Sequence, residues 1–521
     1  MSMLLKSTSN FKKTNYYLIK SKYNLEKSIK NVMTSKIYNT SIKNKVTLNN
    51  MNENLIKSEY QVRGTVVIRS AEIQKKLSIG EGNYSFDKLT PLNIGNPQAL
   101  KQLPLTFPRE VIGCLFSNLS SNKDAINRAD TYKKELSSIE NYTHFTGMHF
   151  VRKNVAKFIS WRDSVEDVDK KDIIITNGAG GGIRVVLESL INDNLDTVMV
   201  PIPQYPLYSA LIQLMNCNLA GYYLDESNGW GLDLNNIEKV YKDNYDKGKR
   251  LKAFVIINPG NPTGNVLSKE NIEELVKFCY ENKMVILADE VYQNNIYAED
   301  KKFYSTREII AKMPYPYKRT TLFSFNSISK GYYGECGLRG GYMDMYNVPD
   351  IIKRCIYKIK SLEVCPNLIG QISLDLLVRP PLSRNCSEET VDLYNKEKNN
   401  NFNNLKSKAK ILSEKLNSIP GFKCNNIDGA MYAFPSIDIP EFRIKEANKK
   451  GISPDLHYAM SLLEATGIIS VPGSGFGQKE NTHHIRLTNL VNPVEEMSLM
   501  LDRLKEFSLN YFDKKYNIEM L

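Results

Sequence analysis

Between Asp172 and Met345 the chain alternates short apolar runs with longer amphipathic stretches, and this pattern constrains the fold more than any other feature. Residues 172–176, 197–201, 252–257, 284–288, 321–325 and 340–343 read as strands. The first is followed by a Gly-rich turn and a helical run over 183–191. A second helix is expected over 268–282, with Ser268 as its N-cap and acids in its first turn. Strands separated by helix-length segments predict an α/β fold with a mostly parallel sheet covered on both faces. Functional groups then belong beyond the carboxyl ends of the strands.

The C-terminal part changes character. A Lys-rich helical pattern over 404–417 leads into shorter elements and a final helix near 493–509. These are expected to form a smaller α+β domain completed by residues from the amino-terminal end. The expected division is a basic extension over 1–50, a first part of the small domain over 51–115, a large domain over 116–380 and the rest of the small domain over 381–521. The Arg-Pro-Pro-Leu-Ser-Arg-Asn-Cys-Ser stretch at 379–387 reads either as the boundary or as an ordinary surface loop.

Charge separates the extension from the body. Residues 1–50 hold ten Lys, no Arg and one acid, Glu26, for a net of +9, so the rest of a chain whose total is +12 carries only +3. A nucleic-acid binder is expected to carry its basic footprint on the folded domain, so no nucleic-acid partner is expected. The extension is rich in Ser and Thr, with Met3-Leu-Leu5 and Tyr16-Tyr-Leu-Ile19 among its lysines, which suits a mitochondrial presequence and a matrix location. The missing arginines depart from that pattern. An Asn/Lys-rich extension with no address, in a cytoplasmic protein, is the alternative. No apolar run reaches the roughly 18 residues of a membrane span. Eight scattered cysteines without a CxxC pair read as reduced thiols, and five histidines show no ligand spacing, so no metal is expected.

Three motifs follow separate strands. Phe323-Ser-Phe-Asn-Ser-Ile-Ser-Lys-Gly331 places Lys330 past a strand end, with Ser327 before it and Arg339 after it in Gly337-Leu-Arg-Gly-Gly-Tyr342. An enclosed lysine loses its proton by desolvation and can condense with an aldehyde as a Schiff base, while Ser327 and Arg339 would bind a nearby phosphate. Asn258-Pro-Gly-Asn-Pro-Thr-Gly264 is a stiff loop with amide side chains to offer a ligand. Leu287-Ala-Asp-Glu-Val-Tyr292 leaves a carboxylate, Asp289, at a strand end and a phenol three residues on. Taken singly, each has an ordinary structural explanation. Asn177-Gly-Ala-Gly-Gly-Gly-Ile183 could meet an anion with the amides of Ala179 and Gly180 at a helix N-terminus. It also mimics a dinucleotide fingerprint, but Ile183 stands where the third glycine is required.

In this order and spacing, over about residues 60–510, the set resembles fold-type-I pyridoxal 5′-phosphate (PLP) aminotransferases, and more narrowly the alanine aminotransferases. Val62-Arg-Gly64, Pro201-Ile-Pro-Gln-Tyr-Pro-Leu-Tyr208 and Tyr332-Tyr-Gly-Glu-Cys-Gly-Leu-Arg339 add to the likeness. The resemblance implies that Lys330 carries the cofactor and shuttles the proton, and that Asp289 faces the pyridine nitrogen. Asn261 and Tyr292 would donate to the ring's phenolate oxygen, and Tyr205 would stack on the ring. Ala179, Gly180, Ser327 and Arg339 would cradle the phosphate, with Tyr142 reaching the phosphate site of a neighbouring subunit in a homodimer. Arg486, in His484-Ile-Arg-Leu-Thr488, would grip the substrate carboxylate with a planar fork, and Gly95 would line the entrance. The implied reaction is L-alanine plus 2-oxoglutarate to pyruvate plus L-glutamate, with amino acids and 2-oxo acids as small-molecule partners. The three-glycine run departs from the family, which carries more side chains there. Alternatives are another amino-acid substrate, an elimination like that of aminocyclopropane-carboxylate synthases, or PLP binding without catalysis.

Overall fold

The computed structural model describes residues 48–60, 64–117 and 119–515. The expected import segment therefore lies outside the described residues, apart from a short 3-10 turn at Leu48–Asn50. Val62 and Arg63 of the Val-Arg-Gly motif also lie outside them.

The central element is an eight-stranded sheet. Its strands are β1 (Ile173–Asn177), β2 (Asp196–Ile202), β3 (Asn218–Asp225), β4 (Gly231–Leu232), β5 (Arg250–Ile257), β6 (Val285–Asp289), β7 (Leu322–Ser327) and β8 (Gly340–Tyr346), in the spatial order β1-β8-β7-β6-β5-β2-β3-β4. The pairs β3–β2, β2–β5, β5–β6 and β6–β7 are parallel, whereas β8 runs antiparallel to both β7 and β1. The carboxyl ends of β1, β2, β5, β6 and β7 thus share one edge. Because β8 is reversed, its amino end lies there too, which brings Arg339 to the edge that Lys330 occupies.

Burial on both faces explains the unbroken apolar runs. Along β5, Phe254 and Ile256 pack into one cluster with Leu275 and Ile286, while Ala253 and Val255 pack into another with Ile183, Val186 and Leu287. Period-two alternation thus feeds two cores instead of one core and solvent.

The glycine-rich stretch differs from the expected turn. Helix α1 spans Ala179–Leu190, so three of the glycines form its first turn and the turn itself is little more than Gly178 at φ 74°. Helix α2 (Lys269–Glu281) is capped by Ser268, whose side chain accepts from the Asn271 amide. The expected helix over 404–417 is the end of a much longer one, α3 (Glu388–Asn417), which starts from the N-cap Ser387. Its asparagine-rich middle hides it, because Asn is a poor helix former. Two of those asparagines make tertiary bonds: Asn401 donates to Leu103 O and Tyr332 O, and Asn404 to Asn492 Oδ1.

Beyond α3 lie α4 (Pro454–Thr466), α5 (Val494–Phe512) and several short strands. Leu92 and Leu100 share a core with Leu412, Leu462, Ile468 and Met500, and Thr90–Pro91 pairs in parallel with Ile468–Ile469. Among the described residues no helix is long and apolar enough to cross a membrane.

Candidate active site

One cavity of about 350 Å³ opens at the strand-end edge, and every residue expected at the site except Tyr142 lines it. The chain brings together Gly95, Ala179, Gly180, Tyr205, Asn261, Asp289, Tyr292, Ser327, Lys330, Arg339 and Arg486. Tyr142 is 83% exposed and stands apart from the cavity.

Asp289 ends β6 and is buried between β5 and β7. Its Oδ2 accepts a long hydrogen bond from the Tyr208 hydroxyl, 3.4 Å, and its Oδ1 has no partner at all. Burial outweighs the relief from the Val291 amide, the Tyr208 hydroxyl and the Lys330 charge and pushes the carboxyl up to about 7. A buried carboxylate with one idle oxygen at the floor of a cavity calls for a donor from a ligand.

Lys330 follows β7, and its Nζ donates to Gly95 O at 2.5 Å. Arg486 lies on the strand Ile485–Thr488, almost fully buried. It donates from Nη1 to Asn261 Oδ1 at 3.0 Å and from Nη2 to Asn93 O at 2.6 Å. Its guanidinium is sandwiched by the rings of Tyr432, 4.2 Å, and Phe476, 4.8 Å. The Nε donor has no partner. Of the two amides expected to be offered by the Asn-Pro loop, only Asn261 reaches the cavity. Asn258 Oδ1 instead accepts from the Leu267 amide and fixes the loop.

An anion cradle forms where α1 begins. First-turn amides of a helix lack intrahelical partners, and Ala179 and Gly180 present theirs beside Ser327 and Arg339. Arg339, itself at φ 57°, donates to Cys336 O and Asn177 O at 3.0 and 2.9 Å. Gly178 sits at φ 74°, a backbone conformation that side chains rarely adopt, and a Cβ there would also stand 2.4 Å from the movable Arg339 Nη2, so the position favours glycine. Gly182 packs against Phe325, where a Cβ would stand at 3.0 Å, whereas Gly180 and Gly181 would meet nothing nearer than 3.5 Å. Glycine is therefore favoured at 178 by its backbone and at 182 by its close neighbour, and not at 180 or 181.

Sequence reasoning missed Tyr60, Cys336 and Tyr432, all of which line the cavity. Tyr60 bonds hydroxyl to hydroxyl with Tyr205 at 3.0 Å, closing one side. Burial, reinforced by Tyr60, raises the Tyr205 phenol well above its ordinary value, so it stays neutral. Tyr432 sits in a short apolar run, Gly429-Ala-Met-Tyr-Ala433, where an aromatic looks like any core residue.

The sequence profile of the family described as Aminotransferase class I and II matches residues 115–503. The chain belongs to this family. Over 91% of its length this aminotransferase is 44% identical to a probable mitochondrial alanine aminotransferase of Dictyostelium discoideum, covering 90% of that protein. It is 42% identical, over 88% of its length and 95% of the relative's, to glutamate–glyoxylate aminotransferase 1 of Arabidopsis thaliana. Among solved structures, an Escherichia coli aminotransferase superposes with a TM-score of 0.69 at 25% identity, over 89% of this chain and 99% of that one. An alanine aminotransferase of Pyrococcus furiosus, 23% identical over 88% of this chain and 99% of that one, shares the fold with a TM-score of 0.70.

Enzymes of this class depend on PLP, and the residues present fit that group. The idle Oδ1 of Asp289 suits a protonated ring nitrogen, the Lys330 amine suits an aldehyde carbon, and the cradle at Gly178–Gly180 with Arg339 suits a phosphate.

Proposed function

We propose that this aminotransferase moves the amino group between L-alanine and 2-oxoglutarate, giving pyruvate and L-glutamate by a ping-pong cycle. The observation that carries the reading is the union, in one cavity, of a buried carboxylate with an idle oxygen, a lysine amine and a buried arginine with a free donor. The alanine aminotransferases among its relatives, at 44% identity in Dictyostelium discoideum and 41% in Arabidopsis thaliana, support the choice of substrate.

When bound, PLP supplies an electron sink that makes the amino acid's α-hydrogen acidic and stores the amino group between half-reactions. Asp289 keeps the ring nitrogen protonated, an assignment that its raised carboxyl supports, since a cationic partner would restore its charge. Asn261 and Tyr292 would serve the ring's phenolic oxygen, and Tyr205 would support the ring, all three lining the cavity. Ser327, Arg339 and the amides of Ala179 and Gly180 hold the phosphate. Lys330 Nζ would hold the cofactor and act as the base that takes and gives back the proton of the substrate's α-carbon. Arg486 would grip the α-carboxylate with the free Nε donor and a remaining Nη hydrogen, while Asn261 Oδ1 and Asn93 O hold the guanidinium in place. Gly95, whose carbonyl holds Lys330 Nζ, borders the entrance.

At larger scale the reading is a homodimer in which Tyr142 enters the neighbouring copy's phosphate site, a role its exposure leaves open to it. Residues 51–115 and 381–521 form a small domain beside a large one over 116–380, in keeping with the core shared by Leu92, Leu100, Leu462 and Met500. The basic extension directs the chain to the mitochondrial matrix, supported by the mitochondrial relatives.

The first test is an absorption spectrum of the PLP-loaded protein before and after L-alanine, with no keto acid present. Loss of the visible band with stoichiometric release of pyruvate is expected. A band that ignores alanine would overturn the substrate assignment. A second reading of the acceptor comes from the glutamate–glyoxylate relative. Comparing 2-oxoglutarate with glyoxylate as second substrate decides between them.

A further inference from the structure

Tyr432 occupies the junction of the site's two cations. Its short strand, Tyr432–Ala433, pairs antiparallel with Ile485–Thr488, Tyr432 opposite Thr488. Arg486 is then its diagonal neighbour on the same face, which is how the guanidinium comes to rest on the Tyr432 ring at 4.2 Å. The ring's other end points at the lysine. A Cβ on Gly95 would stand 1.9 Å from the Tyr432 hydroxyl and 3.0 Å from Lys330 Nζ, so both groups flank the space this glycine leaves open, near enough to interact. From behind, the Tyr292 hydroxyl donates to the Tyr432 oxygen at 3.2 Å.

We propose that the Tyr432 hydroxyl is a further catalytic group of this aminotransferase, an oxygen that accepts from Lys330 Nζ and stabilises the proton this nitrogen carries. The inference rests on Lys330 being the reactive amine. When the amine takes the proton from the substrate's α-carbon, its new N–H bond has an acceptor already in place. The groups facing the phenol are Lys330, Arg486, Tyr292 and Tyr205. Burial opposes ionisation of Tyr432, but the charges of Lys330 and Arg486 and the hydrogen bonds from Tyr292 and Lys330 outweigh it and hold the phenol below its ordinary value. A carboxylate arriving at Arg486 would cancel one of those charges, so occupancy of the carboxylate site is felt at the oxygen beside the lysine.

The test uses the PLP-loaded full chain and Tyr432→Phe, which keeps the ring under Arg486 and removes only the oxygen. The pH titration of the resting enzyme's visible band needs bound PLP and no substrate, so it stands whether or not alanine is the true donor. Losing an acceptor that favours protonated nitrogen should lower its midpoint by about half a unit or more. Turnover should fall about tenfold in kcat with KM for alanine changed less than about threefold. Gly95→Ala, which crowds the hydroxyl away while keeping it, should lower the midpoint in the same direction. An unchanged midpoint in both variants would overturn the proposal. So would a raised KM with kcat intact, which would make Tyr432 only a support for Arg486. Failure of the unmodified enzyme to react with alanine would overturn the substrate reading alone.

Discussion

Asp289 shows what a single residue contributes when its surroundings are incomplete. A carboxyl held near 7 by burial binds a proton in the folded protein that the unfolded chain has released above about 4. Between those values the native state binds more protons, so this group's contribution makes stability fall as pH rises through that window. In the PLP-free protein, Asp289→Asn should therefore flatten the decline of the thermal midpoint between pH 5 and 7.5. A decline as steep as in the parent protein would contradict this origin. In the loaded enzyme the same change should cost at least about a hundredfold in kcat, since the neutral amide cannot pair with a cationic ring nitrogen. Asp289 was legible from sequence because its strand and its position at the strand end were. Its idle oxygen was not, because that depends on what every neighbouring strand leaves unpaired.

Among the elements, the entry to α1 is the most informative. Three consecutive glycines suggest looseness in the sequence, yet they are helical; of them only Gly182 has a close neighbour, Phe325, while Gly178 before them is held to glycine by its positive φ. Gly181→Ala should stabilise the protein by up to about 1 kcal/mol, as alanine does for glycine in a helix. It should leave PLP affinity within about threefold, since the cradle uses backbone amides. Gly178→Ala forces a side chain into left-handed backbone and onto Arg339, and should weaken PLP binding at least about tenfold. Fluorescence titration with PLP and thermal melts check both variants. Helix α3 teaches the converse: its N-cap and first-turn acids were present in the sequence, but asparagines held in place by Leu103, Tyr332 and Asn492 masked its length.

At the scale of the whole molecule, the cavity is assembled from segments far apart in the chain, from Tyr60 to Arg486. Tyr142 lies apart from it and is exposed, which makes the second subunit testable. Sedimentation should show a dimer, and Tyr142→Phe should leave that dimer intact while weakening PLP affinity about tenfold through one lost phosphate bond. A monomer, or unchanged affinity, would remove Tyr142 from the site. The sequence by itself determined the strand-end logic: alternating apolar runs specify a parallel sheet, and polar residues immediately after such runs must gather at one edge. Lys330, Asp289 and Asn261 were readable for that reason, whereas Arg339 precedes its strand and reaches the edge only because β8 runs the other way. Only the tertiary structure decided the placing of Tyr432 and Tyr60, the sharing of Arg486 between Asn93 and Asn261, and the loss of Asn258 to its own loop. Apart from the Asn258 bond to Leu267 within its own loop, those contacts join residues from different segments. No local periodicity records them, because they are fixed by how the two chain ends pack across the sheet edge.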